Sequence, residues 1–442
     1  MNRRTFVGGG LWFRAASAPA TTLAAPPPAI LSQWSNQDHR RRLENIRFAT
    51  LNIRRSRRCH LVTNYIPGHA VYNLSSDTWD FTENDERELA KLRDAGVGLI
   101  QPWSGWGSVW RGKSITARNP VAFRRFVDAI HKLGMKVIPY VSSFYFEREA
   151  SELQAEWAWP SSYDLRKRWA HCSPASPGWR AFCLPRLVRV MEDYGVDGLY
   201  DDLGYLRPGE RPNYYGPDAR RGAKDEVIAF KEGPYRDGAL EDWLGLLYSE
   251  VKRRGGIFKL HKEGADRPFT SFRVYDYLWV GEETRDIDWM RNTVKNYEPY
   301  LIPQPLLRLG PDAEAEAFLH AIPYLQFPIL GRGEGGRFRE DFPRAFARWL
   351  GLYRPMVEDG AWVWMEVTDS DLFPEPPPRD VVASVFANRD LYLVLANYRR
   401  NAVVLETSED YRSVLTGGPA RRRWNLAPRC LEILRRPPRE AL

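Results

Sequence analysis

Hydrophobic and polar positions in the middle of the chain follow two alternating patterns. Short apolar runs, typical of buried strands, alternate with longer stretches in which apolar residues recur every three to four positions, as in helices that face a core. The run "PVAFRRFVDAIHKLG" (120–134) shows the helical pattern, with Pro near its start and Gly at its end. "KVIPYVSSF" (136–144) follows it and is typical of a strand. The alternation extends from about residue 59 to about residue 358.

Eight strand-like runs mostly alternate with helical runs, and only the link between 264 and 274 lacks an obvious helix. The strands span 59–66, 97–103, 136–144, 196–200, 257–264, 274–283, 300–305 and 324–331, and the helices span 84–96, 120–134, 179–195, 238–256, 286–297, 312–322 and 342–357. Alternating strands and helices predict an α/β fold with a parallel sheet, and eight repeats predict a (β/α)8 (TIM) barrel. An open doubly wound sheet is the alternative, but the glycine-rich turn that binds nucleotides is missing after the first strand.

The pattern changes after residue 358. Short strand-like runs continue without helices between them, and "PEPPP" (374–378) and "TGGP" (416–419) punctuate them as turns. We therefore expect three parts: an N-terminal extension at 26–58, a catalytic barrel at 59–358, and a small antiparallel, β-sandwich-like domain at 360–442.

The first 25 residues resemble a bacterial twin-arginine export signal. Arg3 and Arg4 are followed by Phe6 and Val7, and small residues near Ala24 offer a cleavage site. The segment departs from the pattern at Arg14, which interrupts its apolar part. The expectation is a bacterial protein exported to the periplasm or secreted. We expect no membrane span, because no run reaches the ~18–20 apolar residues that a span needs.

Aromatic content sets this chain apart from an ordinary soluble domain. It has 17 Trp, 21 Tyr and 20 Phe, and surplus Trp and Tyr suit surfaces that bind flat, partly apolar ligands such as sugar rings. The net charge of +8 falls to +5 without residues 1–25, and the basic run at 54–60 lacks interleaved aromatic residues. No nucleic-acid partner is therefore expected. The four cysteines lack the spacing of a zinc site.

Two adjacent carboxylates end the fourth predicted strand, in "YGVDGLYDDLGY" (194–205). Side chains alternate along a strand, so Asp202 shares a face with Tyr200 and Gly198, whereas Asp201 shares the other face with Leu199. Active sites of such barrels lie at the carboxyl ends of the strands. We expect Asp202 to point into the mouth and Asp201 to act as a support or as a hydrogen-bond acceptor for substrate.

The fifth and sixth strands also carry ionisable groups. Lys259, His261 and Glu263 share one face of the fifth strand, and three such groups are costly to bury in an inert core. The sixth strand, "YDYLWVGEE", ends in a glycine and two glutamates, the first of which is Glu282. Both strands therefore contribute candidate site residues, with Glu282 and Glu263 as candidate acids.

Aromatic residues cluster after several strands at the same predicted edge. Sugar rings present flat C–H faces that such side chains can cover, although packing of the loops explains the cluster equally well. The candidate substrate-binding residues are Asp201, Trp103, Trp106, Tyr205, Lys259, His261 and Trp279.

The stretches "GVDGLYDDLGY" and "YLWVGEE" resemble the fourth- and sixth-strand segments of retaining glycoside hydrolases of the α-galactosidase and α-glucosidase type. The resemblance covers about residues 59–340. It implies that Asp202 is the nucleophile and that Glu282 is the acid/base. The chain departs from the family by doubling the Asp and by placing Glu, not Asp, on strand six. An α-amylase-like pattern would nominate Glu263 as the acid instead.

The sequence thus predicts a glycoside hydrolase that cleaves an oligo- or polysaccharide with two carboxylates and needs no metal or organic cofactor. Retaining enzymes hold the two carboxyl groups ~5–5.5 Å apart and inverting enzymes ~6.5–9.5 Å, and sequence does not supply that distance. Two alternatives stay open: a catalytically lapsed barrel that binds carbohydrate, and a metal-dependent hydrolase that uses Asp201, Asp202 and His261.

Overall fold

The structure is a computed structural model, and it describes residues 36–157, 169–202, 219–221, 227–230, 238–261, 274–280, 301–303, 317–334, 342–358 and 360–437. The helices are α1 (Asn36–Arg47), α2 (Glu83–Asp94), α3 (Pro120–Lys132), α4 (Pro177–Tyr194), α5 (Gly238–Arg253) and α6 (Phe342–Val357). The strands are β1 (Arg58–Val62), β2 (His69–Asn73), β3 (Leu99–Gln101), β4 (Lys136–Val137), β5 (Tyr140–Val141), β6 (Tyr145–Glu147), β7 (Trp169–His171), β8 (Gly198–Asp202), β9 (Ala219–Arg221), β10 (Val227–Phe230), β11 (Ile257–His261), β12 (Tyr277–Val280), β13 (Leu301–Pro303), β14 (Leu330–Glu334), β15 (Trp362–Glu366), β16 (Val381–Ala387), β17 (Leu391–Asn397), β18 (Val403–Ser413), β19 (Gly417–Leu426) and β20 (Cys430–Arg435).

Parallel strands follow one another in chain order across the larger part of the fold. The pairing runs β14–β2–β3–β4 and then β5–β8–β11–β12–β13. β4 and β5 together occupy the place of one strand in this order. Between them, the Ile138 amide donates to the Ile100 carbonyl oxygen of β3, and the Tyr200 amide of β8 donates to the Pro139 carbonyl oxygen, so the chain stays paired on both sides. The predicted α/β class with parallel strands is confirmed. Within the described ranges no pairing joins β13 to β14, so closure of the barrel stays a prediction.

Local capping fixes where the helices begin. Thr82 caps α2 through a capping box with Asp85, and Asn119 accepts a hydrogen bond from the amide of Ala122 at the start of α3, which opens with a proline. Ser176 caps α4 in the same way, and Gly195 ends α4 with φ of 65°. These signals place each helix directly before or after a strand that contributes to the candidate site.

The first strand of the parallel sheet lies later in the chain than the sequence indicated. The predicted strand at 59–66 overlaps β1, which instead pairs antiparallel with β15 of the C-terminal sheet. Cys59 and Leu61 on its outer face are exposed, Leu61 to 65%. Every residue of β2, in contrast, is buried, as expected of a strand covered on both faces. β2 is therefore the first strand of the parallel sheet.

The eighth strand is also displaced relative to the predicted run at 324–331. A 3-10 turn covers Ile322–Tyr324, and the paired residues are those of β14. Gly331 and Gly333 therefore lie inside this strand.

The C-terminal part is a seven-stranded antiparallel sheet, in the order β1–β15–β16–β17–β20–β18–β19. Alternate residues of β15 and β17 face opposite cores. Trp362, Trp364 and Val394 pack against the parallel part, whereas Val363 and Leu393 pack with the N-terminal segment. The predicted C-terminal antiparallel unit is confirmed, and β1 adds to it a strand from before the barrel.

The predicted N-terminal extension contains α1, which packs on the outer face of this sheet. The side-chain amide of Asn45 donates to the carbonyl oxygens of Asn388 and Arg389 at 3.0 Å each. Ala49 and Ile53 continue the contact and are buried with Met365 in the second core. Among the described helices, none combines the length and the apolar character required to cross a bilayer.

Candidate active site

Neighbouring strands align the candidate residues in two levels. Tyr200 on β8, Lys259 on β11 and Tyr277 on β12 are register partners. One step nearer the carboxyl ends, Asp202, His261 and Trp279 are register partners as well. Because alternate side chains share a face, the strand phases predicted from the sequence bring Asp202 and His261 together.

Gly198 permits the close pairing of β8 with β11. Its φ is 156°, and an added Cβ would lie 1.9 Å from the carbonyl oxygen of Ile257. A residue with a side chain would therefore push the two strands apart. The glycine at this position maintains the register that places Asp202 beside His261.

Asp202 is bound by two donors on neighbouring strands. The Tyr140 hydroxyl donates to Oδ2 at 2.6 Å, and the Nδ1–H of His261 donates to Oδ1 at 3.1 Å. The Asp202 side chain is 17% exposed. Burial, followed by the charge of Asp202, holds the pKa of Tyr140 well above its usual value, so its hydroxyl stays protonated and donates. The site thus presents an oriented, accessible carboxylate.

Asp201 lies on the opposite side of the strand and is 0% exposed. Its two carboxyl oxygens accept hydrogen bonds from the Ser143 amide at 2.7 Å and the Ser143 hydroxyl at 2.6 Å. Burial raises the pKa of Asp201 to about 7, against the lowering effect of these two bonds. The support role expected for Asp201 agrees with this position, whereas direct contact with a substrate does not, because the residue is inaccessible.

Lys259 is 0% exposed and lies between aromatic rings. Its Nζ is 4.9 Å from the Trp279 ring centroid and 5.6 Å from that of Tyr200. Within the described part of the chain, Nζ has no hydrogen-bond partner. Burial lowers the pKa of Lys259 well below its usual value. Like His261 and Trp279, which are also buried, Lys259 lies beneath the accessible surface of the site rather than on it.

Trp103 and Trp106 have different environments. The centroid of the half-buried Trp103 ring lies 5.5 Å from that of Tyr140 and 5.6 Å from that of Trp279. Trp106 is 3% exposed, stacks on Phe123 at 4.7 Å, and donates its indole N–H to the backbone of Tyr140. The substrate-binding prediction for Trp106 therefore needs correction, since the ring is a core residue that supports the Tyr140 strand.

Three candidates lie outside the described residues: Glu282, Glu263 and Tyr205. Their predicted roles as acids and as a substrate-binding residue remain predictions. Tyr140 and Ser143, by contrast, belong to the site but were not predicted. The only signal was the position of Tyr140 near the end of the third strand, and "KVIPYVSSF" carries no charged group at its carboxyl end to draw attention to it.

The metal-site alternative required Asp201, Asp202 and His261 to converge. Asp202 and His261 are hydrogen-bonded to each other, but Asp201 points away and is bound to Ser143. Across the described ranges, no group of three or more His, Cys, Asp or Glu residues is arranged to hold a metal ion. The proposed ligand set is therefore not assembled.

Comparisons with known proteins show similarity of fold. No family model and no curated protein sequence matches the chain. A maltogenic α-amylase of Thermotoga neapolitana superposes with a TM-score of 0.51 at 10% identity over 83% of this chain and 96% of the amylase. An α-amylase of Anoxybacillus gives 0.52 at 13% identity, over 84% and 98%. A family 36 α-galactosidase of Geobacillus stearothermophilus gives 0.57 at 11% identity, over 84% of this chain but only 56% of that enzyme.

These neighbours are TIM-barrel glycoside hydrolases, and their identity to this chain is low enough that the likeness concerns the fold alone. The chain spans little more than half of the α-galactosidase, whereas it matches nearly the whole of the two amylases. The parallel strands, the C-terminal antiparallel sheet and the comparisons together show that this protein shares its fold with these neighbours.

Proposed function

We propose that the protein is a retaining glycoside hydrolase that cleaves an oligo- or polysaccharide, with Asp202 as its nucleophile. One observation carries the proposal: of the two adjacent carboxylates, Asp202 is accessible at a strand end and receives two hydrogen bonds, whereas Asp201 is completely buried. A nucleophilic carboxylate must be ionised, oriented and reachable. Asp202 is oriented and reachable, and the hydrogen bonds that it receives favour its ionised form.

In the proposed reaction an Asp202 oxygen attacks the anomeric carbon as the glycosidic bond breaks. An acid protonates the departing oxygen, and a glycosyl ester forms on Asp202. Water, deprotonated by the same acid/base residue, then releases the sugar with retained configuration. The hydrogen bonds from Tyr140 and His261 would hold the carboxylate in line for attack.

We assign the acid/base role to Glu282, with Glu263 as the second choice. Both follow strands that end at the same edge as β8, where carboxyl ends of parallel strands converge. The acid must be protonated before attack, so its surroundings should raise its pKa. Because the structural neighbours include α-amylases and an α-galactosidase, we propose either α-glucosides or α-galactosides as substrates of this protein.

Trapping of the glycosyl ester tests the nucleophile. We would screen aryl α-glucosides, α-galactosides and a broader panel of oligosaccharides, and then use the 2-deoxy-2-fluoro analogue of the best substrate. Mass spectrometry of the digested protein should find the label on Asp202. Asp202→Ala should lose turnover, and added azide should yield a glycosyl azide of inverted configuration. A label on another carboxylate, or Asp201→Asn being as damaging as Asp202→Asn, would contradict the assignment.

The acid/base is tested by the leaving group. Glu282→Ala should lose most activity on substrates with poor leaving groups and less on activated aryl glycosides. Azide should restore turnover with retained configuration, because the glycosyl ester still forms. If Glu282→Gln behaves as the wild type and Glu263→Gln shows this pattern, Glu263 is the acid/base.

The same panel separates the alternatives. Glycan binding without turnover would identify a catalytically lapsed barrel. Activity that is lost on chelation and restored by a divalent metal would favour a metal-dependent hydrolase. Activity that survives a chelator but disappears in Asp202→Asn would support the glycosidase.

We also propose that the protein is exported by the twin-arginine route, on the strength of the motif at Arg3 and Arg4. Replacement of both arginines by lysine should keep the protein inside the cell. Fractionation of cells that express the two forms checks this, and an unchanged distribution would refute the proposal.

A further inference from the structure

Arginine is concentrated in one short segment beside the C-terminal sheet. Residues 38–61 run from the first turn of α1 into β1, and they contain eight arginines but only two acidic residues, Asp38 and Glu44. The proposed catalytic groups lie at the carboxyl ends of the parallel strands, in another part of the fold. The proposed chemistry therefore accounts for none of these arginines.

Ion pairs within the protein account for only some of these charges. Three arginines are paired with acids and a fourth is buried, namely Arg41, Arg57, Arg58 and Arg42. Arg47, Arg54 and Arg55 are exposed, and within the described ranges none of their guanidinium groups forms an ion pair. The nearby Asp371 accepts the backbone amide of Arg54, not its side chain. Three positive charges are thus available to an anionic partner.

Exposed leucines are interleaved with these arginines. Among the described residues, six large hydrophobic side chains are exposed, and three of them belong to this segment: Leu43 at 44%, Leu51 at 74% and Leu61 at 65%. Apolar side chains that are exposed together and surrounded by polar groups mark surfaces that bind a partner. The leucines require a partner that offers an apolar environment, and the arginines require that it be negatively charged.

One side of α1 carries both kinds of residue. Arg40, Leu43 and Arg47 recur at spacings of three and four residues and are exposed. Asn45 and Ala49 lie on the opposite side of the helix, where they contact the sheet and its outer core. The outer side of α1 is therefore both basic and apolar.

β1 extends this surface beyond the helix. Leu61 is the register partner of Val363, whose side chain packs in the core beneath α1. Register partners point to the same side of a sheet, so Leu61 lies on the side that α1 covers. Arg54 and Arg55 directly follow Ile53, which is buried in the same core. We name this surface the basic apolar face, and its members are Arg40, Leu43, Arg47, Leu51, Arg54, Arg55 and Leu61.

A groove of about 820 Å³ lies between α1 and the start of β17, at one end of this face. Its charged lining consists of four arginines and two acids: Arg40, Arg41, Arg47, Arg436, Glu44 and Asp390. Asp390 is bound to Arg41, so the remaining charge in the groove is positive. Guanidinium groups are well suited to bind phosphate, and a groove of this size can hold a phosphate-bearing head group.

We propose that the basic apolar face binds the protein to the surface of an anionic phospholipid bilayer. The exposed leucines enter the boundary between head groups and acyl chains, and the arginines pair with lipid phosphates, one of which occupies the groove. A soluble polyanion would match the arginines but would leave the three leucines in water, so the observations favour a bilayer. The inference does not depend on the proposed function.

Flotation of the full-length protein with lipid vesicles tests the inference. Vesicles of phosphatidylcholine with about one third phosphatidylglycerol should bind the protein, whereas pure phosphatidylcholine should bind little of it. Added salt should weaken the binding, because ions screen the attraction between arginine and lipid phosphate. Equal binding to both kinds of vesicle, or binding to neither, would overturn the inference.

The arginines are tested by a triple variant, Arg47→Gln/Arg54→Gln/Arg55→Gln. It should bind anionic vesicles roughly 100-fold more weakly, since each arginine near an anionic surface contributes about a factor of five. The matched control removes three exposed arginines from helices of the parallel part, Arg87→Gln/Arg189→Gln/Arg348→Gln. It should bind as the wild type does. An equal loss in the control would show that net charge, and not this face, determines binding.

The leucines distinguish a bilayer from a soluble polyanion. Leu51→Ser/Leu61→Ser should weaken binding to anionic vesicles about ten-fold, because both side chains lose their contact with lipid. The matched control is Val121→Ser/Leu246→Ser, at exposed positions on α3 and α5, and it should have no effect. Tight binding of polygalacturonate, together with unchanged vesicle binding by the leucine variant, would identify an acidic polysaccharide as the partner and overturn the inference.

Discussion

The Tyr140 hydroxyl donates a 2.6 Å hydrogen bond to Asp202 from the adjacent strand. The phenol is buried and stays protonated, because burial and the neighbouring carboxylate both raise its pKa. A buried donor of this kind stabilises an ionised carboxylate and restricts its rotation. The relationship gives the proposed nucleophile an identifiable partner that can be removed by deleting one oxygen atom.

Tyr140→Phe should lower kcat/KM by about 10- to 100-fold, since hydrogen bonds to charged groups contribute ~1.5–3 kcal/mol. The acid limb of the pH profile of kcat/KM should move to higher pH, because the lost donor favoured the ionised carboxylate. Steady-state kinetics on an aryl glycoside between pH 3 and 8 measures both effects. Tyr145→Phe, on the next strand, is the control. An unshifted acid limb would mean that Tyr140 serves packing only.

His261 should be replaceable by asparagine better than by alanine. The Nδ1–H of His261 donates to Asp202 at 3.1 Å, and the asparagine amide can place a donor near the same position. We expect His261→Asn to keep at least several-fold more kcat than His261→Ala on the same aryl glycoside. Equal losses in the two variants would show that the hydrogen bond to Asp202 does not explain the role of the imidazole.

Asp201 should make the fold less stable as the pH rises. Its pKa is about 7 in the fold and near the ordinary value of 3.8 in the unfolded chain. Between these values the folded state holds a proton that the unfolded state has lost, so the free energy of unfolding falls from about pH 4 to pH 7 and is level above. At ~1.4 kcal/mol per pKa unit, this ionisation should lower the free energy of unfolding by roughly 4 kcal/mol in total.

Asp201→Asn removes this ionisation and can still bond to Ser143 through its amide. Relative to the wild type, it should therefore become more stable as pH rises from 4 to 8. Urea unfolding at several pH values measures the difference, with the exposed Asp77→Asn as the control. A difference between Asp201→Asn and wild type that does not change with pH would argue against a buried, titrating Asp201.

Lys259→Met should stabilise the protein near neutral pH. The buried amine lacks a hydrogen-bond partner in the described part of the chain, and an unpaired buried polar group costs about 1–3 kcal/mol. The pKa of Lys259 is lowered in the folded state, so near neutral pH the unfolded state binds a proton that the folded state does not. The destabilisation caused by Lys259 should therefore decrease as the pH rises towards the usual pKa of a lysine. Unfolding at pH 7 and pH 10 should show the larger gain at pH 7. A loss of stability in Lys259→Met at both pH values would indicate that the amine is satisfied in solution.

Trp106 and Trp103 should respond differently to truncation. Trp106→Ala empties a core position and should cost about 3–5 kcal/mol of stability, with little change in KM for a small glycoside if the fold survives. Trp103→Ala removes a half-buried ring that contacts Tyr140 and should raise KM with a smaller loss of stability. Thermal unfolding and kinetics on the same samples compare the two. The reverse pattern would restore the sequence-based assignment of Trp106.

The order of the strands and the phase of their side chains could be read from the sequence. Alternation along a strand is local, and parallel strands joined by helices usually pair with their neighbours in the chain. Strand phase alone accordingly predicts the faces on which Asp202, His261 and Lys259 lie, and the registers of β8 and β11 agree with it. The C-terminal antiparallel unit could also be recognised from a local pattern, because its strand-like runs have no helices between them.

Only the tertiary structure decided which groups meet across long separations in the chain. Tyr140, one of the two partners of Asp202, and Ser143, the partner of Asp201, come from the third predicted strand, about sixty residues earlier. No local pattern therefore distinguishes the accessible acid from the one bonded to Ser143. The sequence of β1 by itself resembles that of a first barrel strand, but its partner β15 follows some 300 residues later in the chain. Trp103 and Trp106 differ only in what covers them. Burial depends on the whole fold, whereas strand phase depends on a few neighbouring residues.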